Sequence, residues 1–558
     1  MFFTLAVSAA TPQRCAGLTA RALAVDPSVM PARGPAVVAW RSADGCAALL
    51  HWGPPGQPPD GLAAASRAGT IQAGAGQDPG ITAQTTVTRV DPVYQAGLPG
   101  AVVLADRASW AAWTVSRLDD HDPRLLCALL GPGYPLGAVT PFRGVSALPP
   151  ATQLRLAGGR AETRSGPSSA VRPAPVRAGA PAGLRAGVRA GVRAGVRTDV
   201  RAGAKDVAAA LVAVVTPLRD AGQPVELSLT GGKDSRLIAA ALVAAGVPVT
   251  AHTHGFADHP DVVVATEIAR RLGIEHVVRL PAAPGQQVDV LTRIRATVLV
   301  ADGMLSAFEN VGRPDPAVSA ALSAGGHGGE LLRGGYAETA GRGSARGGLR
   351  AALGPARQAA RSAELLRRLT TRNLGLVRRG PAAGYLASLT PWTAALSRSP
   401  LRALDDFYLV NRAGRWSATA RQAYLLRERL VQPLFDDRVV SAARAVPLSD
   451  RISGALSAAV LTELAPAVAG IPLAGKPDPG SAPFDWRRQY GAEIASFLRG
   501  YVLDADGLFD MLGRPAVERL LAPPHTDRPA VWALATLACL TSGDYRNARE
   551  AAPRLPVG

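Results

Sequence analysis

From Asp206 onward the sequence alternates between two periodicities. DVAAALVAVVTPL (206–218) spaces its apolar residues as a helix does, and VELSL (225–229) reads as a strand. RLIAAALVAAG (236–246) reads as a helix, PVTAHTHG (248–255) as a strand, DVVVATEIARRLG (261–273) as a helix and EHVVRLP (275–281) as a short strand. Strands that alternate with helices across short loops argue for a parallel sheet covered on both faces. In such a sheet, ligands bind beyond the carboxyl ends of the strands. The segment that falls there is TGGKDS (230–235).

That loop has its own chemistry. Gly231 and Gly232 let a backbone approach a ligand with no Cβ in the way. A helix beginning near Ser235 would point unpaired N–H groups and a positive end at the loop, which suits an anion and above all a phosphate. Lys233 adds a cation, and the hydroxyls of Thr230 and Ser235 complete a cradle. Asp234 repels phosphate, so its presence calls for a bridging Mg2+. The spacing is not that of the Walker A loop, which needs four residues between its first Gly and Gly-Lys. The competing reading is a strand–turn–helix junction capped by Asp and Ser. Two glycines and a lysine lie beyond what a cap requires. The lysine carries weight because only three of the 61 basic residues are lysines: Lys205, Lys233 and Lys476.

The rest of the chain is arranged around this unit. The 558 residues are too many for one core. Residues 1–155 carry short β-like runs, AVVAW, TTVTRV, GAVVLAD and WAAWTV, broken by Gly and Pro turns. MFFTLAVSAA is read as a first strand rather than a secretory segment, since no basic residue precedes it. Residues from about 340 to 545 are mostly Ala/Leu/Arg helical patterns. The net charge is +18, but Arg155 to Lys205 holds eleven basic residues against two acids, which is half of that excess. This segment includes RAGVRAGVRAGVR (185–197) and has too few large apolar side chains to bury a core, so it reads as a linker or inserted loop. Cys15, Cys46, Cys127 and Cys539 lie far apart with no C-x-x-C pair, which fits a reducing cytoplasm. No stretch approaches the ~20 apolar residues of a membrane span.

Several motifs carry a resemblance. TGGKDS looks like the S-G-G-x-D-S pyrophosphate loop of N-type ATP pyrophosphatases, with Thr230 in place of the first Ser. Residues 253–276 resemble the asparagine-synthetase segment in which an Asp starts a helix and Gly-x-x-His follows, matched here by Asp261 and Gly273–His276. SAGGHGGELLRGGY (323–336) is similar to the S-G-E-G-x-D-E-x-F-x-G-Y segment of the same family. Glu330 takes the place of its Asp, while His327 and Leu331 replace its two Glu residues. QPLFDDRVVSAARAVPLSDRI (432–452) resembles a helix-entry segment of the family, carried by Pro433 to Asp436. GIPLAGKPD (470–478) looks like its lysine-bearing C-terminal loop. TPFRGVSALPPATQLRL (140–156) is similar to the end of the family's glutaminase half. That half works through a Cys exposed by removal of Met, whereas Phe2 and Phe3 follow Met1 here.

The resemblance implies an α/β fold. A degenerate glutaminase-like α+β sandwich of the N-terminal-nucleophile type, lacking its nucleophile, would span 1–157. A linker would span 158–205, and an ATP-pyrophosphatase synthetase domain 206–545, with its parallel-sheet core at 206–336 and a helical part at 337–545. It implies ATP and Mg2+ as cofactors. The phosphates would lie on Ser228, Thr230, Gly231, Gly232, Lys233, Asp234, Ser235 and Gly328, the adenine by Thr253, His254 and Gly255, and the metal at Asp234 and Glu330. Lys476, Glu330 and His327 are the implied catalytic residues. A small-molecule or peptide carboxylate would be adenylated and then joined to ammonia or an amine, in the cytoplasm, with neither membrane nor nucleic acid as partner and with no glutamine hydrolysis. Three alternatives stand beside this one. They are a natural-product or peptide cyclase of the lasso-peptide or β-lactam synthetase type, a tRNA-modifying enzyme or nucleic-acid binder with the RAGV repeat as its arm, and an inactive chain, given the altered acids at 326–331. The oligomeric state is left open.

Overall fold

The structure is a computed structural model that describes residues 3–31, 36–52, 70–73, 80–165, 200–220, 222–280, 289–309, 311, 321–342, 355–426, 429–475, 492–522 and 528–551. The RAGV repeats and Lys476 lie outside the described residues.

Two antiparallel sheets build the first unit. The larger has the order β2 (Ala36–Arg41), β3 (Ala47–Trp52), β1 (Phe3–Ala9), β7 (Ala101–Ala105), β6 (Tyr94–Leu98), β8 (Val145–Ala147). The smaller has the order β10 (Arg160–Ser165), β9 (Thr152–Ala157), β5 (Ile81–Gln84), β4 (Thr70–Ala73). Successive side chains on a strand point to opposite faces, and β1 uses both. Phe3, Leu5, Val7 and Ala9 enter the core shared with α1 (Pro12–Leu23), α2 (Ala108–Thr114) and α3 (Pro123–Leu130). Ala6 points the other way, into a core with Ile71, Ile81, Leu154 and Leu156 of the smaller sheet. The larger sheet is thus covered by helices on one face and by the second sheet on the other.

Two runs expected as strands are not strands. WAAWTV lies largely in α2, with Trp110, Ala111 and Ala112 fully buried. A short, uniformly apolar run fits a buried helix as well as a buried strand. TTVTRV is irregular because its polar groups bond across to the second unit. The Val87 N–H donates to Asp437 Oδ1 at 2.9 Å, and Thr88 Oγ1 donates to the Phe435 carbonyl at 3.1 Å. Arg89, fully buried, donates to the carbonyls of Leu148, Val410 and Gly414. Val410 and Gly414 belong to a π-helix, Tyr408–Ser417. Structure also occupies both ends of the segment assigned to the linker, with β10 at its start and α4 (Val200–Val215) at its end.

The second unit holds the alternating segment. Five parallel strands have the order β13 (Glu275–Arg279), β12 (Val249–His254), β11 (Val225–Ser228), β14 (Leu322–Ala324), β15 (Arg429–Val431). Between them run α5 (Lys233–Ala244), after β11, and α6 (Pro260–Leu272), after β12. Val225, Leu227 and Ala251 pack with Leu211 of α4, Ile238 of α5 and Ile268 of α6. The opposite face carries polar, partly exposed side chains, contrary to the expectation of a sheet covered on both faces. It pairs Glu226 with Arg279 at 3.1 Å and Thr250 with Glu275 at 3.2 Å. The chain steps outward from β11 to β13 and then returns to the far side of β11 with β14. The strand order therefore reverses between β11 and β14, and a crevice opens there beyond their carboxyl ends.

Candidate functional site

Two glycine-rich loops meet at that crevice, TGGKDS after β11 and GGHGGE after β14. They touch through backbone. A Cβ on Gly326 would stand 2.6 Å from the Ser235 nitrogen, and one on Gly329 would fall inside the Asp234 carboxyl group. Glycine at these two positions is what allows the loops to interlock. Gly328, with φ of 98°, supplies the turn between them.

The first loop is held from within and from behind. Thr230 N–H donates to Ser235 Oγ at 3.0 Å, and Gly232 N–H donates to Thr230 Oγ1 at 3.2 Å. The Gly231 N–H is taken by Asp261 Oδ1 at 2.9 Å, so this amide does not face a ligand. The helix α5 begins at Lys233, two residues earlier than the sequence suggests, and Gly232 at its cap makes no side-chain capping bond. Asp234 and Ser235 therefore do not act as caps. α5 thus starts at the crevice, with the positive end of the helix toward it.

Arg236, buried one turn along α5, fastens this loop to a distant strap. It donates to the carbonyls of Gly231 (2.9 Å), Gly232 (2.9 Å), Ile471 (2.8 Å) and Pro472 (3.2 Å). The Ala474 N–H adds a bond to the Gly231 carbonyl at 3.1 Å. A side chain on Gly231 would strike the Ala474 methyl group. The strap 471–475 leads directly to Lys476.

The Asp234 carboxylate meets a guanidinium. Arg333, buried at the end of the turn Gly329–Arg333, binds both of its oxygens, Nη2 to Oδ2 at 3.2 Å. Arg333 also lies 3.2 Å from Glu338 and 3.9 Å from Glu330. Burial works against the Arg333 charge, yet Asp234, Glu338 and Glu330 together raise its pKa above the ordinary arginine range. Burial, helped by Glu330 and Glu338, holds the Asp234 carboxyl above the ordinary carboxylate range, and the pull of Arg333 offsets this only in part. The expected Mg2+ pair, Asp234 and Glu330, is thus engaged by an arginine. No group of three or more His, Cys, Asp and Glu side chains among the described residues is arranged to hold a metal ion. The side chains present do not fit a metal bound between these two carboxylates.

The remaining expected residues divide. His327 is exposed at the rim of the second loop, its ring centre 6.4 Å from that of Tyr424. Ser228 and His254 are exposed at the ends of β11 and β12. Thr253 is buried and committed to scaffolding, donating to the Leu229 carbonyl at 2.7 Å and touching His276 Nε2 at 2.8 Å. Arg236, Arg333 and Glu338 were not anticipated. In a chain this rich in Arg, none of them stands out by composition. Arg333 had one signal, because it stands where the asparagine-synthetase segment carries Phe.

The model of the asparagine synthase family matches residues 206–469, which contain both loops and all five parallel strands. No curated protein matches the chain. No helix among the described residues is long and apolar enough to cross a membrane.

Proposed function

Because the model of the asparagine synthase family, ATP-dependent amide-forming ligases, matches residues 206–469, we propose that this chain activates a carboxylate by adenylation and joins it to ammonia or an amine. The observation that carries the reading is the interlocked pair of glycine loops at the β11/β14 switch point. A phosphate tail lying along the start of α5 meets the positive end of the helix. Lys233 adds a charge-assisted bond worth about 1.5–3 kcal/mol.

In this reading the protein positions and neutralises rather than forming covalent intermediates. The substrate carboxylate attacks the α-phosphate, the bond to the β-phosphate breaks, and pyrophosphate leaves from the loop. Ammonia or an amine then attacks the acyl carbon, AMP departs, and the nitrogen gives up a proton. In this reading His327, exposed at the rim of the second loop, accepts that proton. Lys476, next in sequence after the strap that Arg236 pins to the loop, is the proposed second cation for the reacting phosphates. ATP–pyrophosphate exchange with a panel of carboxylic acids tests the proposal. Exchange dependent on aspartate identifies an asparagine-forming enzyme, and exchange only with a peptide or an unusual acid identifies a cyclase or natural-product ligase. Absence of exchange with every acid, together with tRNA binding, refutes it.

A further inference from the structure

The proposed phosphate site contains a charge arrangement that a phosphate-binding loop does not explain. Three carboxylates, Asp234, Glu330 and Glu338, lie within 3.9 Å of one guanidinium, that of Arg333. They come from three pieces of the fold: the start of α5, the turn after β14, and the helix Tyr336–Arg342. We propose that Arg333 is this chain's permanent substitute for a divalent cation, neutralising Asp234 and its neighbours so that the chain itself holds no metal at this point. The inference rests on reading the crevice as the nucleotide site.

The geometry supports substitution rather than a casual contact. Arg333 is 7% exposed, and its backbone leads directly into Gly334, held in the left-handed region with φ of 82°. The guanidinium spans from Asp234 on one side to Glu338 on the other, so it is anchored at both ends. Gly329, with no Cβ, leaves room for the Asp234 carboxyl to turn toward it. Mg2+ requires oxygen ligands at about 2.0–2.1 Å in octahedral array, and the space next to the Asp234 oxygens is taken by guanidinium nitrogens. An arginine stays charged at any physiological pH and cannot be chelated away. A metal that reaches this site therefore arrives on the nucleotide's phosphates, bound by them and not by Asp234.

Manganese(II) titrated against the full chain, with free ion followed by its paramagnetic resonance signal, tests this. The expected results are no saturable manganese site at Asp234 in the wild type, a new site in Arg333→Met, and loss of that site when Asp234→Asn is added. Arg333→Lys, which keeps a cation, should gain none. A wild-type site abolished by Asp234→Asn overturns the inference, as does a folded Arg333→Met chain that gains no site. If Arg333→Met does not fold, comparison of the wild type with Asp234→Asn still decides. Repeating the titration with ATP separates the two readings. Failure to bind ATP with or without the ion refutes the nucleotide site, whereas ATP binding together with a manganese site that requires Asp234 refutes only the role of Arg333.

Discussion

Gly329→Ala isolates the contact between the two loops. Gly329 is absent from the positive-φ positions, so alanine can adopt its backbone conformation and only the added methyl matters. That methyl would stand only 2.0 Å from the Asp234 carboxyl carbon. Asp234 cannot swing away at little cost, because Arg333 binds it and Glu338 holds Arg333. If the loops part and keep the ion pair, the cost is that of overpacking, about 1–3 kcal/mol. If instead the buried pair breaks, the cost rises to about 3–5 kcal/mol. For a unit of 150–250 residues each kcal/mol moves Tm by about 2–4 °C, so the transition of the parallel-sheet unit should fall by roughly 2–12 °C in the first case and further in the second. Calorimetry of the full chain reads this shift, and ATP titration should weaken in parallel. Gly384→Ala is the control. Gly384 lies inside the helix Arg379–Arg398 with nothing within 4 Å of an added Cβ, and the change should stabilise by about 0.5–1 kcal/mol. A Gly329→Ala protein that melts within a degree of the wild type and binds ATP equally well would refute the interlocked loops.

Three further outcomes follow from the same geometry. Lys233→Ala should lower the exchange rate by ~10²–10³, the usual cost of one electrostatic contact to developing charge, and a loss of tenfold or less would place the ammonium outside the site. Arg236→Met should cost at least the ~1.5–3 kcal/mol of one charged hydrogen bond. It should also expose the Ala474 amide to faster hydrogen exchange, and unchanged exchange there would mean the strap is held independently of Arg236. Burial, followed by Arg279 and His254, lowers the His252 pKa from 6.5 to about 4, and its Nδ1 is buried without a hydrogen-bond partner among the described residues. A depressed histidine pKa means that the unfolded chain binds the proton more readily. Stability therefore falls as pH drops through 6.5 toward 4. His252→Gln should flatten that slope in pH-dependent melting, and an unchanged slope would refute the assignment.

The parallel-sheet unit was legible because its periodicity changes at each element and the changes fall close to the observed ends of β11, α5, β12, α6 and β13. The first unit was less so. WAAWTV is buried except at Trp113 and carries no clear period, and TTVTRV owes its conformation to Asp437 and Phe435, some 350 and 347 residues away in sequence. At the site, glycine spacing and the lysine marked the first loop. The partners that hold it were hidden because their meaning is tertiary. Arg236 matters through carbonyls at 471 and 472, and Arg333 through a carboxylate 99 residues earlier. Asp234 was read as a metal ligand because sequence shows an acid beside a phosphate loop and cannot show that a guanidinium already faces it.

All of this depends on the amides at the start of α5 facing the phosphate tail of a nucleotide. The most direct test is calorimetric titration of the purified chain with ATP, followed by competition with inorganic pyrophosphate. Saturable ATP binding that pyrophosphate displaces, and that Lys233→Ala weakens, is the expected result. Binding insensitive to both, or none at all, would contradict it.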